Sequence, residues 1–149
     1  MIKYIESKGL DFTSEVTMAF ENFTAQEIDF DNANFEGIEL RSSNFQGMDL
    51  IGVNFESTDL FRANLKNAIL RRCDFSKANL TMANLEGAYF ENCDFSRAIL
   101  LLSKLEKTRF RNCDFEKGVF DKKSIEIPKF LGCELGKAIL IGNAKQLVI

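Results

Sequence analysis

The chain of 149 residues has no histidine and no tryptophan, one proline, two tyrosines and four cysteines. Lacking histidine, it lacks the commonest metal ligand and general base, so Ser-His-Asp and Cys-His catalysis and His-containing zinc sites are excluded. No CxxC pair occurs either, which removes the usual zinc-ribbon spacing. No glycine-rich phosphate loop is present; Gly37, Gly47, Gly52 and Gly87 stand singly. No apolar stretch reaches the roughly 18 residues of a membrane span. The opening residues Met1 to Lys8 hold no apolar run long enough for a signal peptide. Together these absences predict a cytoplasmic protein with no membrane contact, no metal and no cofactor. Disorder is excluded as well, because 46% of residues are hydrophobic and 28% charged, which suits a single globular domain.

What is abundant is phenylalanine, with fifteen residues. Phe brings apolar volume without a polar handle, and here it is placed by rule. Every fifth position from Phe20 to Leu140 is apolar, and all are Phe or Leu except Ala25 and Ile125. Two residues earlier sits a small or compact residue, as at Ala33, Ser43, Val53, Thr58, Ala63, Cys73, Ala83, Cys93, Thr108 and Cys113. Between the two lies Asn or Asp in most repeats, giving small–Asn/Asp–Leu/Phe–x–x; Ala78-Asn79-Leu80 and Ala83-Asn84-Leu85 are clean copies. Calling the Leu/Phe centre i, positions i−2 and i point inward and the others outward. A period of five is neither the 3.6 of a helix nor the 2.0 of a flat strand. The chain turns a corner every five residues.

A longer period is superimposed. Cys73, Cys93, Cys113 and Cys133 are spaced by 20, as are Phe35, Phe55, Phe75, Phe95 and Phe115. Four pentapeptides therefore close one coil, and the cross-section is a square. Repeats of this kind bury their inward side chains only by stacking on their neighbours. At the strand spacing of about 4.8 Å, about six coils make a rod roughly 30 Å long.

On these residues the sequence resembles the pentapeptide-repeat proteins, whose motif is written A(D/N)LXX, across residues 18–142. The resemblance implies an all-β solenoid, a right-handed quadrilateral β-helix. Residues 1–17 and 143–149, the latter with the apolar Leu147-Val148-Ile149, are candidates to cap the open ends. Phe35 to Phe115 are expected to stack face to face along one wall, with Leu40, Leu60, Leu80 and Leu100 lining another. Lys123 and Pro128 occupy the i−2 slot where small residues belong, which predicts a distorted coil.

Three groups of polar residues invite a chemical reading. The cysteines stand in a straight column, which cannot surround one ion tetrahedrally, and parallel side chains in a reducing cytoplasm disfavour a disulfide; buried free thiols acting as small hydrophobes explain them. Asp74, Asp94, Asp114 and Glu134 form a carboxylate column, and paired carboxylates can cleave glycosides. Asn34 and Asn54 fill the same slot, however, so a corner role, hydrogen-bonding nearby backbone, accounts for the whole column. Arg71, Arg72, Arg109 and Arg111 raise nucleic acid, but no aromatics interleave to stack bases and the sequence pI near 5.1 is far from basic. They read as a solvated face. No enzyme activity is expected.

Charge is unevenly distributed: residues 1–60 hold three Lys/Arg against twelve Asp/Glu, while residues 61–149 hold sixteen against ten. Such a split concerns partners rather than fold. The favoured reading is a rigid scaffold that binds another protein. The stretch Cys93-Asp94-Phe95-Ser96-Arg97-Ala98 also resembles the Qnr quinolone-resistance branch. That resemblance implies a dimer mimicking duplex DNA and acting on type II topoisomerase. A mimic needs negative charge along its length, and here only the first part is acidic. One outward surface breaks the polar rule, with Phe61, Met82, Ile99, Leu101, Leu102, Val119, Ile139 and Ile141 converging on a single wall. A soluble monomer rarely exposes such a patch. It is expected to serve as a protein-binding surface, most simply in a two-fold homodimer, unless the C-terminal tail covers it.

Overall fold

A computed structural model describes residues 30–126 and 128–142. The expected cap at 1–17, the first repeats to residue 29 and the tail at 143–149 lie outside the described residues. Those described form the expected all-β solenoid, a four-walled parallel β-helix, and account for about five of its turns.

The local reason for the square is visible at each corner. The Asn or Asp at i−1 turns its side-chain oxygen back to accept the N–H of residue i+1, as in Asn34 to Glu36 (3.1 Å), Asn54 to Glu56 (2.8 Å) and Asp74 to Ser76 (2.7 Å). The next residue, i+2, adopts a left-handed conformation, with φ near 60° from Asn32 to Lys117. At most corners a backbone bond then closes the turn, such as Ile38 N–H to Phe35 C=O (3.1 Å). Positive φ at the third residue of such a turn is the type II pattern.

Between corners the backbone hydrogen-bonds only to the coils above and below. On the first wall the strands β1 (Asp49–Ile51), β2 (Ile69–Arg71), β3 (Tyr89–Glu91), β4 (Arg109–Arg111) and β6 (Lys129–Leu131) form a five-stranded parallel sheet. Leu50 pairs with Leu70, Leu70 with Phe90, Phe90 with Phe110 and Phe110 with Phe130, a constant step of 20. β5 (Val119–Asp121) and β7 (Ile139–Ile141) pair on the third wall, whose centres are Leu40, Leu60, Leu80, Leu100, Phe120 and Leu140. The second wall carries Phe35 to Phe115, and the fourth Phe45, Leu65, Leu85 and Leu105; both are joined by single bridges, such as Asn54 to Asp74 and Asn64 to Asn84.

The expected ring ladder is present. Phe55, Phe75, Phe95 and Phe115 stack at centroid distances of 4.8, 4.9 and 5.0 Å, within 14° of parallel. A second ladder, Phe90, Phe110 and Phe130, stacks on the first wall at 5.0 and 5.2 Å. It meets the first ladder edge-on, with Phe95 and Phe110 at 5.4 Å and 89°. The two columns together reproduce the offset-stacked and T-shaped contacts that aromatic quadrupoles favour.

The distortion expected at Lys123 is a 3-10 turn, Ser124–Glu126. Lys123 stays exposed and Ser124 takes the buried place instead. Asp121 organises the turn, accepting the N–H groups of Lys123 (3.2 Å) and Ser124 (3.1 Å) as well as the Ser124 hydroxyl. Pro128 remains buried in its slot.

Candidate functional site

The eight apolar residues proposed as an interaction patch do lie on or beside the third wall, but they are not equivalent. Leu101 is only 8% exposed, so it is part of the interior rather than of an accessible surface. Phe61 is half-buried and lies under two guanidinium groups, Arg62 at 5.1 Å and Arg41 at 5.6 Å. Buried Thr81 and half-buried Asp121 alternate with Phe61, Leu101 and Ile141 in their column, so that column is not continuously apolar. Two runs remain. Ile99, Val119 and Ile139 are consecutive rungs of one column, with Ile139 49% exposed. Met82 and Leu102 are consecutive rungs at the next corner, both half-buried.

The carboxylate column is held by corner geometry. Asp94 accepts the N–H of Ser96 (2.7 Å) and Asp114 that of Glu116 (2.8 Å), as Asp74 does from Ser76. A basic column, Lys77, Arg97, Lys117 and Lys137, runs three residues on. Two of the cavities on this wall, lined by Asp94, Arg97 and Glu116 and by Asp114, Glu134 and Lys137, mix both signs. Among the described residues no cluster of three or more metal-ligating side chains occurs.

The pentapeptide-repeat sequence pattern matches residues 25–56, 58–97 and 78–116, with eight copies. The chain belongs to the pentapeptide-repeat family. No curated protein matches its sequence. Among solved structures, a pentapeptide repeat protein from Nostoc is 26% identical over 72% of this chain and 82% of its own, with a TM-score of 0.50. A thylakoid-lumen pentapeptide repeat protein from Arabidopsis thaliana is 23% identical over 68% of this chain and 74% of its own, with a TM-score of 0.42. The plasmid-mediated fluoroquinolone resistance protein QnrB1 is 17% identical over 87% of this chain and 91% of its own, with a TM-score of 0.43.

Within this repeat protein the i−2 slot has a second task that the sequence did not reveal. Thr58 and Thr108 donate their hydroxyls to the carbonyls of Phe35 (2.7 Å) and Leu85 (2.8 Å), each 23 residues back. The thiols of Cys73 and Cys93 make the same reach to Leu50 and Leu70, both at 3.5 Å. Cysteine and threonine thus tie one coil to the last through a buried donor, and no buried side-chain N or O atom lacks a partner among the described residues. All four thiols are free. The neighbouring thiols of Cys113 and Cys73, together with burial, push the Cys93 thiol well up, so it stays protonated and unreactive. Burial likewise raises Cys133, but it is half-exposed at the end of the column. In native protein at neutral pH, iodoacetamide should therefore label Cys133 first, while Cys73, Cys93 and Cys113, each 2% exposed, should label only after unfolding. Intact-mass spectrometry reads this directly; rapid modification of all four would refute the closed column.

The structure also shows how the charge split is partly consumed. Asp49 binds Arg71 (2.8 Å), Glu56 binds Lys77 (2.6 Å) and Glu116 binds Lys137 (3.1 Å), each acid reaching to the coil that follows. Arg71 and Arg111 both approach Glu91, at 3.9 and 3.5 Å. Most of these pairs are exposed and individually weak, yet they leave fewer free acids in the first part of the rod than the sequence alone suggests.

Proposed function

We propose that this protein is a rigid, non-enzymatic interaction scaffold of the cytoplasm, and that the third wall binds a second copy of the same chain. One observation carries the reading. Among the described residues with positive φ, Met82 and Leu102 are the two with apolar side chains. The other left-handed corners hold Gly, Asn, Ser, Lys or Arg. Gly and Asn occupy this region readily, and Lys or Arg keep their heads in water. A half-buried leucine there costs about 1 kcal/mol of backbone strain and gains only part of its burial in the monomer. Such a residue is better explained by what it touches outside the monomer. Met82 and Leu102 stand at one corner of the wall whose opposite side carries the Ile99, Val119 and Ile139 column, and one self-complementary surface suffices for a two-fold dimer. The free thiols support a reducing compartment.

The topoisomerase reading is less favoured. Asp49, Asp59 and Glu56 are engaged by cations, and the remaining carboxylate column runs beside a basic one. A duplex mimic needs unneutralised charge at the spacing of phosphates.

The test uses two variants and sedimentation velocity. Leu102→Asn should raise stability by about 1 kcal/mol by relieving the left-handed strain, while weakening the dimer. Ile139→Glu should leave the melting curve nearly unchanged and also dissociate it. A monomeric wild type, or a Leu102→Asn protein that dimerises as before, would sink the proposal. A wild type that inhibits gyrase supercoiling at stoichiometric concentration would favour the mimic instead.

A further inference from the structure

We propose that the corner between the fourth and first walls is a binding site for a small, multiply charged phosphoryl anion. A cavity of about 540 Å³ opens there, lined by Gly87, Lys107, Thr108, Arg109 and Lys129. Three of those five residues are cations and none is an acid, unlike the two mixed-sign cavities of the second wall. The volume lies within the range of small-ligand sites, about 300–1,000 Å³.

Three successive coils build the site. Gly87 lines the cavity without a side chain: its left-handed φ of 69° favours glycine, and the Asn67 side-chain oxygen, which a Cβ would approach to 2.3 Å, already fills the space beside it. One rung on, Lys107 follows in the same column, and Arg109 stands two residues later at the start of β4. Lys129 begins β6 and pairs in register with Arg109, one strand spacing of about 4.8 Å away. Arg109 lies over the Tyr89 ring at 5.3 Å, which holds its guanidinium against the wall. No acid lies within ion-pair distance of Lys107, Arg109 or Lys129 among the described residues. By contrast Glu86, the acid beside Gly87, is already bound by Lys66 at 3.0 Å.

The donors decide the ligand class. The Thr108 hydroxyl is turned inward to the Leu85 carbonyl, and the Gly87 and Thr108 N–H groups are used by Glu106 and Leu105 carbonyls. Recognition therefore comes from charge on side chains. Two ammonium groups and one guanidinium, spread over adjacent rungs, match several anionic oxygens at separate points, as in a diphosphate. Arg engages phosphate oxygens in pairs, and Lys serves as a point charge. A lone carboxylate would satisfy only one of the three.

Inorganic pyrophosphate is the probe, titrated into the full chain at low salt and followed by calorimetry. Saturable one-to-one binding is expected. Lys107→Gln combined with Lys129→Gln should weaken it about tenfold or more, since charge-assisted bonds to phosphate are the strong ones. Lys117→Gln, which removes a charge from an exposed position on the second wall, should leave it unchanged. Thermal melts confirm that each variant folds. Citrate, of similar charge but with carboxylate groups, should bind more weakly. The proposal is overturned if binding does not saturate, if Lys117→Gln weakens it as much as the double variant, or if citrate binds as tightly as pyrophosphate.

Discussion

Phe95→Ala should lower the free energy of unfolding by about 3–5 kcal/mol, the range for truncating a fully buried aromatic. Phe95 sits where the two ring ladders cross, stacked on Phe75 (4.9 Å) and Phe115 (5.0 Å) and edge-on to Phe90 (5.1 Å) and Phe110 (5.4 Å). Removing it empties a space that four rings line and that a backbone locked in a regular ladder cannot close. The control is on the third wall, where residue type is held constant. Leu100 is fully buried, whereas Leu140, in the same column two coils on, is 48% exposed. Leu100→Ala should cost about 2–5 kcal/mol, and Leu140→Ala much less. Urea melts showing equal losses at Leu100 and Leu140 would mean that stacking does not set the energetics.

Ala83→Leu should destabilise by about 1–3 kcal/mol through overpacking, whereas Ala83→Ser should be close to neutral. Ala83 is fully buried in a column with Ala63 and Ser103 on the adjacent coils. Extra methylenes there have no cavity to enter. Serine is already accommodated one rung away, because the Ser103 hydroxyl donates to the Leu100 carbonyl at 2.8 Å, and the Leu80 carbonyl stands in the same relation to residue 83. Urea melts in which Ala83→Leu is as stable as the wild type would show that the small-residue rule reflects corner geometry and not volume.

The architecture was legible because the inward positions obey two periods at once. Any sequence placing Phe or Leu at every fifth position and repeating cysteines at 20 leaves the coil size no freedom. The Phe35 to Phe115 ladder and the disturbance at Lys123 followed from the same spacing. The Phe90, Phe110 and Phe130 ladder was less visible, because the same wall begins with Leu50 and Leu70 and the column changes identity along the rod. The outward side was harder still. Position within the repeat says which side chains leave the core, but not which of them neighbours then cover. Leu101 occupies an outward position and is buried, while Leu102 beside it is reachable. Nor does the repeat rule show that Glu56 reaches Lys77 on the next coil, or that Lys107, Arg109 and Lys129 share one cavity; those meetings depend on side-chain lengths and corner directions.

The unbroken step of 20 residues makes each wall a graduated scale, and the walls differ in how many of their marks are alike. On the second wall, Asp74-Phe75-Ser76 recurs as Asp94-Phe95-Ser96, so a partner reading that wall finds nearly the same pattern after sliding one rung. Its binding there would be degenerate in position. The third wall presents Ser42, Arg62, Met82, Leu102, Lys122 and Gly142 at successive rungs of its corner column, none of them fully buried and no two alike. A partner shifted by one rung on that wall meets a different side chain at every mark, so it is the wall on which this molecule can encode a single alignment.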